Sequence, residues 1–431
     1  MLVMGMRLGG GPIDVNVNSV TRTMRSAYVM LDITNPEKPP KLLAEITQPE
    51  PGFTTNRPVV IQRRQSNASG DFNFPAENNW YLAFGSGPTG AGLSGIRQAL
   101  DNATSDQNMK VFVYDLKNKS FLSTFDPMDS GISTAYAGNM ATVDWNQDYY
   151  DDATYFGSVE TSGNLSGELL RINLEDPLTS NWTLGTLTRP QRPIIARPSA
   201  VTNSDNERWV FVGSGREVTQ SDSRNTQQEY FFGIKEPTLS GVFSYGTVPF
   251  SSLIDTTDIQ VEADGDLVSS FTVTPATTVN SFESLRSALT TQAGWKNRLI
   301  YDGTNPGGKS VSSPANAFAL LLFTEYQPPA DQCLVDGTNF LNALHYQTGT
   351  AIPASIQKVL TPDGFTDDTV SNKKISLGAG LAPAPVIHQG SDGNTSIIIQ
   401  GGAGNISSTD LEYTLTDDGR QSWRQIFNIP R

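Results

Sequence analysis

WVFVGSGR, residues 209–216, runs large apolar residues straight into a glycine-rich turn. The same grammar recurs in LVMGMRLGGG (2–11), WYLAFGSGPTG (80–90) and SIIIQGGAG (396–404). Most copies are followed by a second apolar run that closes on Asp or Asn: AYVMLDI (27–33), KVFVYDL (110–116) and ELLRINL (168–174). EYFFGIK (229–235) and FLNALHY (340–346) read as the same second element. Short runs rich in β-branched and aromatic residues, bounded by Gly, Asn, Asp or Pro, are strands. Several are near-continuous rather than alternating in apolar character, which predicts strands covered on both faces. A repeated strand–turn–strand unit predicts radial repetition: an all-β chain forming a β-propeller of about seven irregular blades. The repeats start near residues 3, 81, 154, 209, 319 and 397, so long insertions fill the gaps. A sandwich or β-solenoid stays open, although the first has fewer strands and the second a stricter period.

Residues 1–431 are taken as a single propeller domain, with 256–314 as an insertion or elaborated blade edge because long apolar runs are scarce there. The best helix candidate is NSFESLRSALTTQAGW (280–295). Asn280 is a capping residue, Glu283 follows three residues on, and Phe282, Leu285 and Leu289 share one face. Pro-rich NPEKPPK (35–41) and RPQRPIIARP (189–198) read as connectors between blades. The opening MLVMGMRLGGG has no basic region ahead of its apolar residues and no small-residue cleavage site, so it reads as the middle of a strand in a longer protein.

With 30 Lys and Arg against 44 Asp and Glu, the formal charge is −14. That excludes the basic surface by which nucleic-acid binders displace phosphate counterions. Cys333 is the lone cysteine, and His345 and His388 are the only histidines. No intrachain disulfide, thiolate cage or His-rich centre can form from that set. No apolar run is long enough for a transmembrane helix. His345, in an apolar run, reads as a satisfied strand residue. GSGPTGAG (85–92) lacks the lysine of a phosphate loop and is read as having no helix behind it.

The chemistry concentrates in VDWNQDYYDD (143–152). Asp144, Asn146, Asp148, Tyr150 and Asp152 occupy positions 1, 3, 5, 7 and 9 of one short loop. Alternate side chains of such a loop point inward, and position 7 offers its backbone carbonyl. Ca²⁺ takes six to eight oxygens at roughly 2.3–2.6 Å in an adaptable shell, and this spacing supplies them better than Mg²⁺ would demand. Position 6 is Tyr149 where glycine normally makes the turn, position 12 is Tyr155 rather than Glu, and the flanks read as strands. The loop is therefore EF-hand-like but set between strands. A left-handed Tyr149 would cost on the order of 1 kcal/mol, which a bound dication offsets. Asp151 is a candidate substitute or outer ligand. The competing reading is an acidic, solvated hairpin without an ion. EADGD (262–266), PDGFTDD (362–368) and TDDGR (416–420) are read as plain hairpins.

The stretch 143–174 resembles the C-terminal β-propeller of PilY1-type proteins, the type IV pilus biogenesis and tip-adhesin family. GMRLGGG with AYVMLDITNPEKP (5–39), WVFVGSGR with QQEYFFGIK (209–235), residues 321–351 and SWRQIFN (422–428) fit the family pattern in order. The resemblance implies a Ca²⁺ site at Asp144, Asn146, Asp148, the Tyr150 carbonyl and Asp152, in a D-x-N-x-D-G-x-x-D loop departing from the family at Tyr149. It implies an extracellular, secreted protein at the pilus tip or outer membrane of a Gram-negative bacterium, carrying an N-terminal adhesin-like region elsewhere. Its partners would be minor pilins, the pilus tip and a host or surface ligand. Its role would be calcium-dependent control of pilus extension against retraction, with surface attachment and twitching motility. The Arg-Gly-Asp motif of some members is missing, so integrin-type binding is not carried over.

Two other classes compete. A quinoprotein-like dehydrogenase shares the repeat grammar and binds Ca²⁺, but many carry a vicinal Cys pair that one cysteine cannot supply. A propeller lectin would stack sugars on Trp80, Trp182, Trp209, Trp295 or Trp423, yet tryptophan in WYLAF and WVFV reads as core. With no nucleophile–base pair and no phosphate loop, the chain reads as a non-enzyme.

Overall fold

The computed structural model describes the chain apart from residues 12, 49, 65–77, 240–241, 318, 332–335, 354–356, 360–369, 372, 390–394, 403 and 414–431. Cys333, Trp423 and the acidic turns at 362–368 and 416–420 therefore lie outside the described residues. The described strands form six sheets of three or more strands, built in chain order except that Gln357–Val359, of the sixth sheet, precedes the last strand of the fifth. They begin with Leu2–Gly5, Tyr28–Asp32 and Lys41–Ile46, and continue with Val59–Arg64, Asn78–Gly85 and Lys110–Asp115. The third sheet holds Ala141–Val143, Ala153–Glu160, Leu169–Asn173 and Thr183–Thr188. The fourth holds Ser199–Thr202, Arg208–Gly213, Tyr230–Lys235 and Gly294–Arg298. Ala315–Ala317, Leu320–Gln327, Thr338–His345 and Lys374–Ala379 make the fifth; Val386–Gln389, Thr395–Gln400, Ile406–Tyr413 and Gln357–Val359 make the sixth.

Each of the four inner sheets buries one face on the sheet before it and the other on the sheet after. Tyr28, Met30 and Ile46 of the first pack on Leu82, Phe84 and Phe112 of the second, whose opposite face carries Tyr81, Val111 and Val113 onto Phe156, Leu170 and Ile172 of the third. Tyr155 and Leu169 meet Val210, Val212 and Phe232, and Trp209, Phe211 and Phe231 meet Leu321, Phe323 and Leu344. Leu320, Leu322 and Leu341 then meet Ile397 and Ile399. Two-sided burial is why these strands are near-continuously apolar. The stacking is propeller-like. Six such sheets, not seven, are seen among the described residues, and no core cluster there joins the sixth to the first.

The glycine that ends the apolar run in the second, third and fourth sheets has a mechanical reason. Gly157 and Gly213 face the connector entering the next sheet, and a Cβ on either would collide with Ile194 or Ser310. The serine that follows clasps both sides. Ser86, Ser158 and Ser214 each accept at Oγ the N–H of Lys110, Glu168 and Tyr230, at 2.9, 2.8 and 2.8 Å. Their carbonyls accept the N–H of Ala137, Ile194 and Ser310, at 2.8, 3.1 and 3.0 Å. Gly-Ser is thus a repeated joint between neighbouring sheets.

Within residues 256–314, one strand joins the fourth sheet and a hairpin and helix pack beside it. Gly294–Arg298 pairs with Tyr230–Lys235, while the hairpin Asp266–Thr274/Thr277–Ser281 and helix Phe282–Leu289 share a small core of their own. The expected face of Phe282, Leu285 and Leu289 is buried. The cap is Ser281, not Asn280, and its box partner is Ser284, not Glu283. Another correction concerns GSGPTGAG: a helix, Gly92–Asn102, does follow it, burying Ile96 and Ala99. Trp80 departs from the core expectation at 43 % exposed. It shares a face with Leu82 and Phe84, but stands at the strand end where the three-stranded first sheet no longer covers it. Among the described residues no helix is long and apolar enough to cross a membrane.

Candidate functional site

The acidic loop joins Ala141–Val143 to Ala153–Glu160, antiparallel neighbours in the third sheet. Its flanks are strands, as the sequence predicts. Asp152 N donates to Val143 O at 2.8 Å and Leu174 N to Asp152 O at 2.9 Å, so the loop closes where the ladder begins. Trp145 plugs it into the core between the third and fourth sheets, edge-on to Tyr155 with ring centroids 6.0 Å apart.

Between those anchors the chain turns on its own side chains. Asp144 accepts from Asp148 N at 3.2 Å and from Tyr149 N at 2.7 Å. Asn146 Oδ1 accepts from Asp148 N, and Asp148 Oδ1 from Tyr150 N, both at 2.9 Å. Tyr149 sits at φ +75° and Gln147 at φ +61°. Tyr149 therefore adopts the conformation for which glycine is normally used.

Asp152 is placed differently. It is buried, its Oδ2 accepts from Trp145 N at 2.8 Å, and its Oδ1 lies 3.7 Å from Arg63 Nη1. Burial first, then the charges of Asp144, Asp148 and Glu175, push its pKa up to about 6 against the opposing Trp145 N–H. Asp151, offered above as an alternative ligand, is a stitch to the second sheet. Its Oδ2 accepts from Gln62 N at 2.7 Å, its N–H donates to Gln62 O at 3.0 Å, and its carbonyl accepts from Arg63 Nη1 at 2.8 Å. Burial raises its pKa as well.

Asp144, Asn146, Asp148 and Tyr150 are thus gathered in one turn, and Asp152 closes it from the strand end. Among the described residues no three His, Cys, Asp or Glu side chains form a ready-made cation cage. Asp152 turns its oxygens to Trp145 N–H and Arg63. The donor set itself, hard oxygens around a left-handed position 6, fits Ca²⁺ in kind. Arg63, Gln62 and Trp145 were not among the residues singled out from sequence, and only Trp145, inside the loop, carried any local signal.

The other candidates separate clearly. Trp182, Trp209 and Trp295 are buried and offer no sugar platform. His345 is buried in its strand, with burial driving its pKa down to about 3 and Thr348 Oγ1 3.4 Å from Nδ1.

Fold and loop together define a class: a propeller-like β-domain of stacked sheets with an acidic loop bridging two strands and pinned to the neighbouring sheet. No family model matches the chain. It is 25 % identical over 274 residues, 62 % of its length, to the type IV pilus biogenesis factor PilY1 homolog of Xylella fastidiosa, and spans 20 % of that relative. The crystal structure of the Pseudomonas aeruginosa PilY1 C-terminal domain superposes with TM-score 0.60 over 93 % of this chain and 82 % of that one, at 17 % identity. The chain is thus similar in sequence to a PilY1-type protein and shares the fold of the Pseudomonas aeruginosa PilY1 C-terminal domain, in keeping with the resemblance read from the sequence.

Proposed function

We propose that this domain is the calcium-responsive propeller of a type IV pilus biogenesis protein, secreted to the pilus tip or outer surface, where it biases pilus extension against retraction. The observation that carries the reading is Tyr149 at φ +75°. A bulky residue is held in a glycine conformation, in a loop whose Asp and Asn side chains are already turned inward. Such strain persists where the surroundings over-determine it, and it collects at ligand clamps.

Asp144, Asn146, Asp148, the Tyr150 carbonyl and Asp152 would hold the ion. A bound dication supplies positive charge that offsets the repulsion among these carboxylates. The chain's own contribution is coupling. Because Asp151 and Arg63 tie the loop to Val59–Arg64, any tightening of 144–152 acts on the joint between the second and third sheets. An ion shifts such an equilibrium only by its differential affinity for the two states. Minor pilins at the tip are the proposed partners, with a host or abiotic surface as the attachment target. No enzymatic step is assigned.

Calorimetric Ca²⁺ titration and thermal melting of the wild type beside Asp144→Asn and Asp148→Asn test this. One bound ion, stabilising by about 2.7 kcal/mol at 100 times its dissociation constant and lost in both variants, supports the site. No binding by the wild type makes the loop a solvated hairpin. The pilus role is tested separately, by whether the same variants alter twitching in a strain lacking the full-length protein.

A further inference from the structure

Glu325, Asn342 and Lys374 stand together in the fifth sheet, away from the acidic loop. Asn342 of Thr338–His345 and Lys374 of Lys374–Ala379 are direct antiparallel partners, so their side chains leave the same face of the sheet. Glu325 lies on the neighbouring strand, opposite Phe340, and projects to that face too. It is the face on which Phe323 stacks against Phe231 of the fourth sheet, with ring centroids 3.6 Å apart. Glu325 and Asn342 are 1 % and 5 % exposed. One carboxylate oxygen meets both neighbours: Glu325 Oε2 lies 2.5 Å from Lys374 Nζ and accepts from Asn342 Nδ2 at 3.2 Å. The other, Oε1, accepts from Ile300 N at 2.6 Å, which fixes the carboxylate from the fourth sheet. Lys374 Nζ also lies 5.1 Å from the centre of the Phe340 ring.

A buried carboxylate needs a cation, and Lys374 alone supplies one to Glu325. A salt bridge does not call for a carboxamide on the same oxygen. Its presence sets an amine and an amide carbon on one proton carrier, in a site largely shut off from water. Reactants held in this way meet in an effectively unimolecular step, and a carboxylate touching both can move the protons. We propose that Lys374 and Asn342 join in an intramolecular isopeptide bond, with Glu325 as the proton carrier. The Lys374 ammonium gives a proton to Glu325 Oε2, and the free amine attacks Cγ of Asn342. The bond formed is Nζ–Cγ and the bond broken is Cγ–Nδ2. Two of the three ammonium protons pass by way of Glu325 to Nδ2, which leaves as ammonium, and Glu325 returns to the carboxylate. The Lys374 side chain is 28 % exposed, which gives the leaving group a way out. The product ties two neighbouring strands of the fifth sheet covalently, so a pull along the chain crosses from 342 to 374 and bypasses residues 343–373. A cross-link of this kind also stabilises by restricting the unfolded chain.

Intact mass and peptide mapping of the full chain test this. The wild type is expected to be lighter than its sequence by one ammonia and to yield, on digestion, a branched peptide joining residues 342 and 374. Lys374→Arg keeps a cation for Glu325 without the attacking amine, and is expected at its full sequence mass. Glu325→Gln, whose amide cannot carry the protons, is expected there too; a bond that still forms in that variant overturns the role given to Glu325. A wild-type chain that keeps its full sequence mass after prolonged incubation in the folded state overturns the proposal, and so does an ammonia loss mapped to any other residue. Both of these readings come from the wild type, so they stand even where a variant fails to fold.

Discussion

Tyr149 is 65 % exposed and sits at φ +75°, so its side chain contributes little packing while its backbone sits in a region costly for a residue with a Cβ. Tyr149→Gly is expected to raise stability by about 1 kcal/mol. Melting in a chelator reads that gain without the ion, and calorimetry should then show tighter Ca²⁺ binding; an unchanged or lower melting temperature would sink the strain argument. Asp152→Asn separates charge from geometry in the same loop. The amide oxygen keeps the Trp145 N–H acceptor, while the charge crowded by Asp144, Asp148 and Glu175 is gone. The chelated variant is expected to be at least as stable as the wild type and to bind Ca²⁺ at least about tenfold more weakly, since a ligating carboxylate has been neutralised. The loop was legible because ligand spacing is local. Its neighbours Gln62 and Arg63 were not, because their contacts with Asp151 span 89 and 88 positions.

Among the elements, the Gly-Ser joint makes the sharpest claim. Gly213→Ala places a Cβ against Ser310 at the end of a buried strand, where neither backbone has room to move. The expected loss is about 1–3 kcal/mol, read by denaturant unfolding. Gly185→Ala is the control: nothing lies within 4 Å of its added Cβ, so it should be neutral or slightly stabilising. Equal effects at the two sites would mean that glycine serves turn flexibility rather than close approach. The strands were legible because burial on both faces writes them as unbroken apolar runs. Helix Gly92–Asn102 was not, since it starts at glycine behind Ala91 with no side-chain cap. Asn280 and Ser281 offered adjacent capping side chains, and only the backbone decides which one turns inward.

At the scale of the whole molecule, buried titratable groups fix how stability changes with pH. Glu229, on the strand entry beside Ser214, is fully buried, and burial pushes its pKa up to about 8, with Ser214 Oγ donating to Oε2 at 2.5 Å. A carboxyl whose folded pKa exceeds its unfolded value binds its proton more tightly in the fold. Its contribution is therefore full below the unfolded pKa and is lost as pH rises towards the folded one. His345 works in the opposite sense: with its folded pKa down at about 3, its contribution is full above about 6.5 and is lost on acidification. Between roughly pH 4.5 and 6.5 the two slopes oppose each other. From about pH 6.5 to 8 Glu229 is left unopposed by His345, and stability is expected to fall by on the order of 2 kcal/mol. Glu229→Gln keeps the shape and an acceptor for Ser214 without the titration, so the variant should lose that fall and exceed the wild type in stability by a margin that grows from pH 6.5 to 8. Urea midpoints across pH 6–8.5 in a chelator check this, and parallel slopes for the two proteins would mean that Glu229 stays ionised in the folded state, stabilised by Arg192 and Lys309.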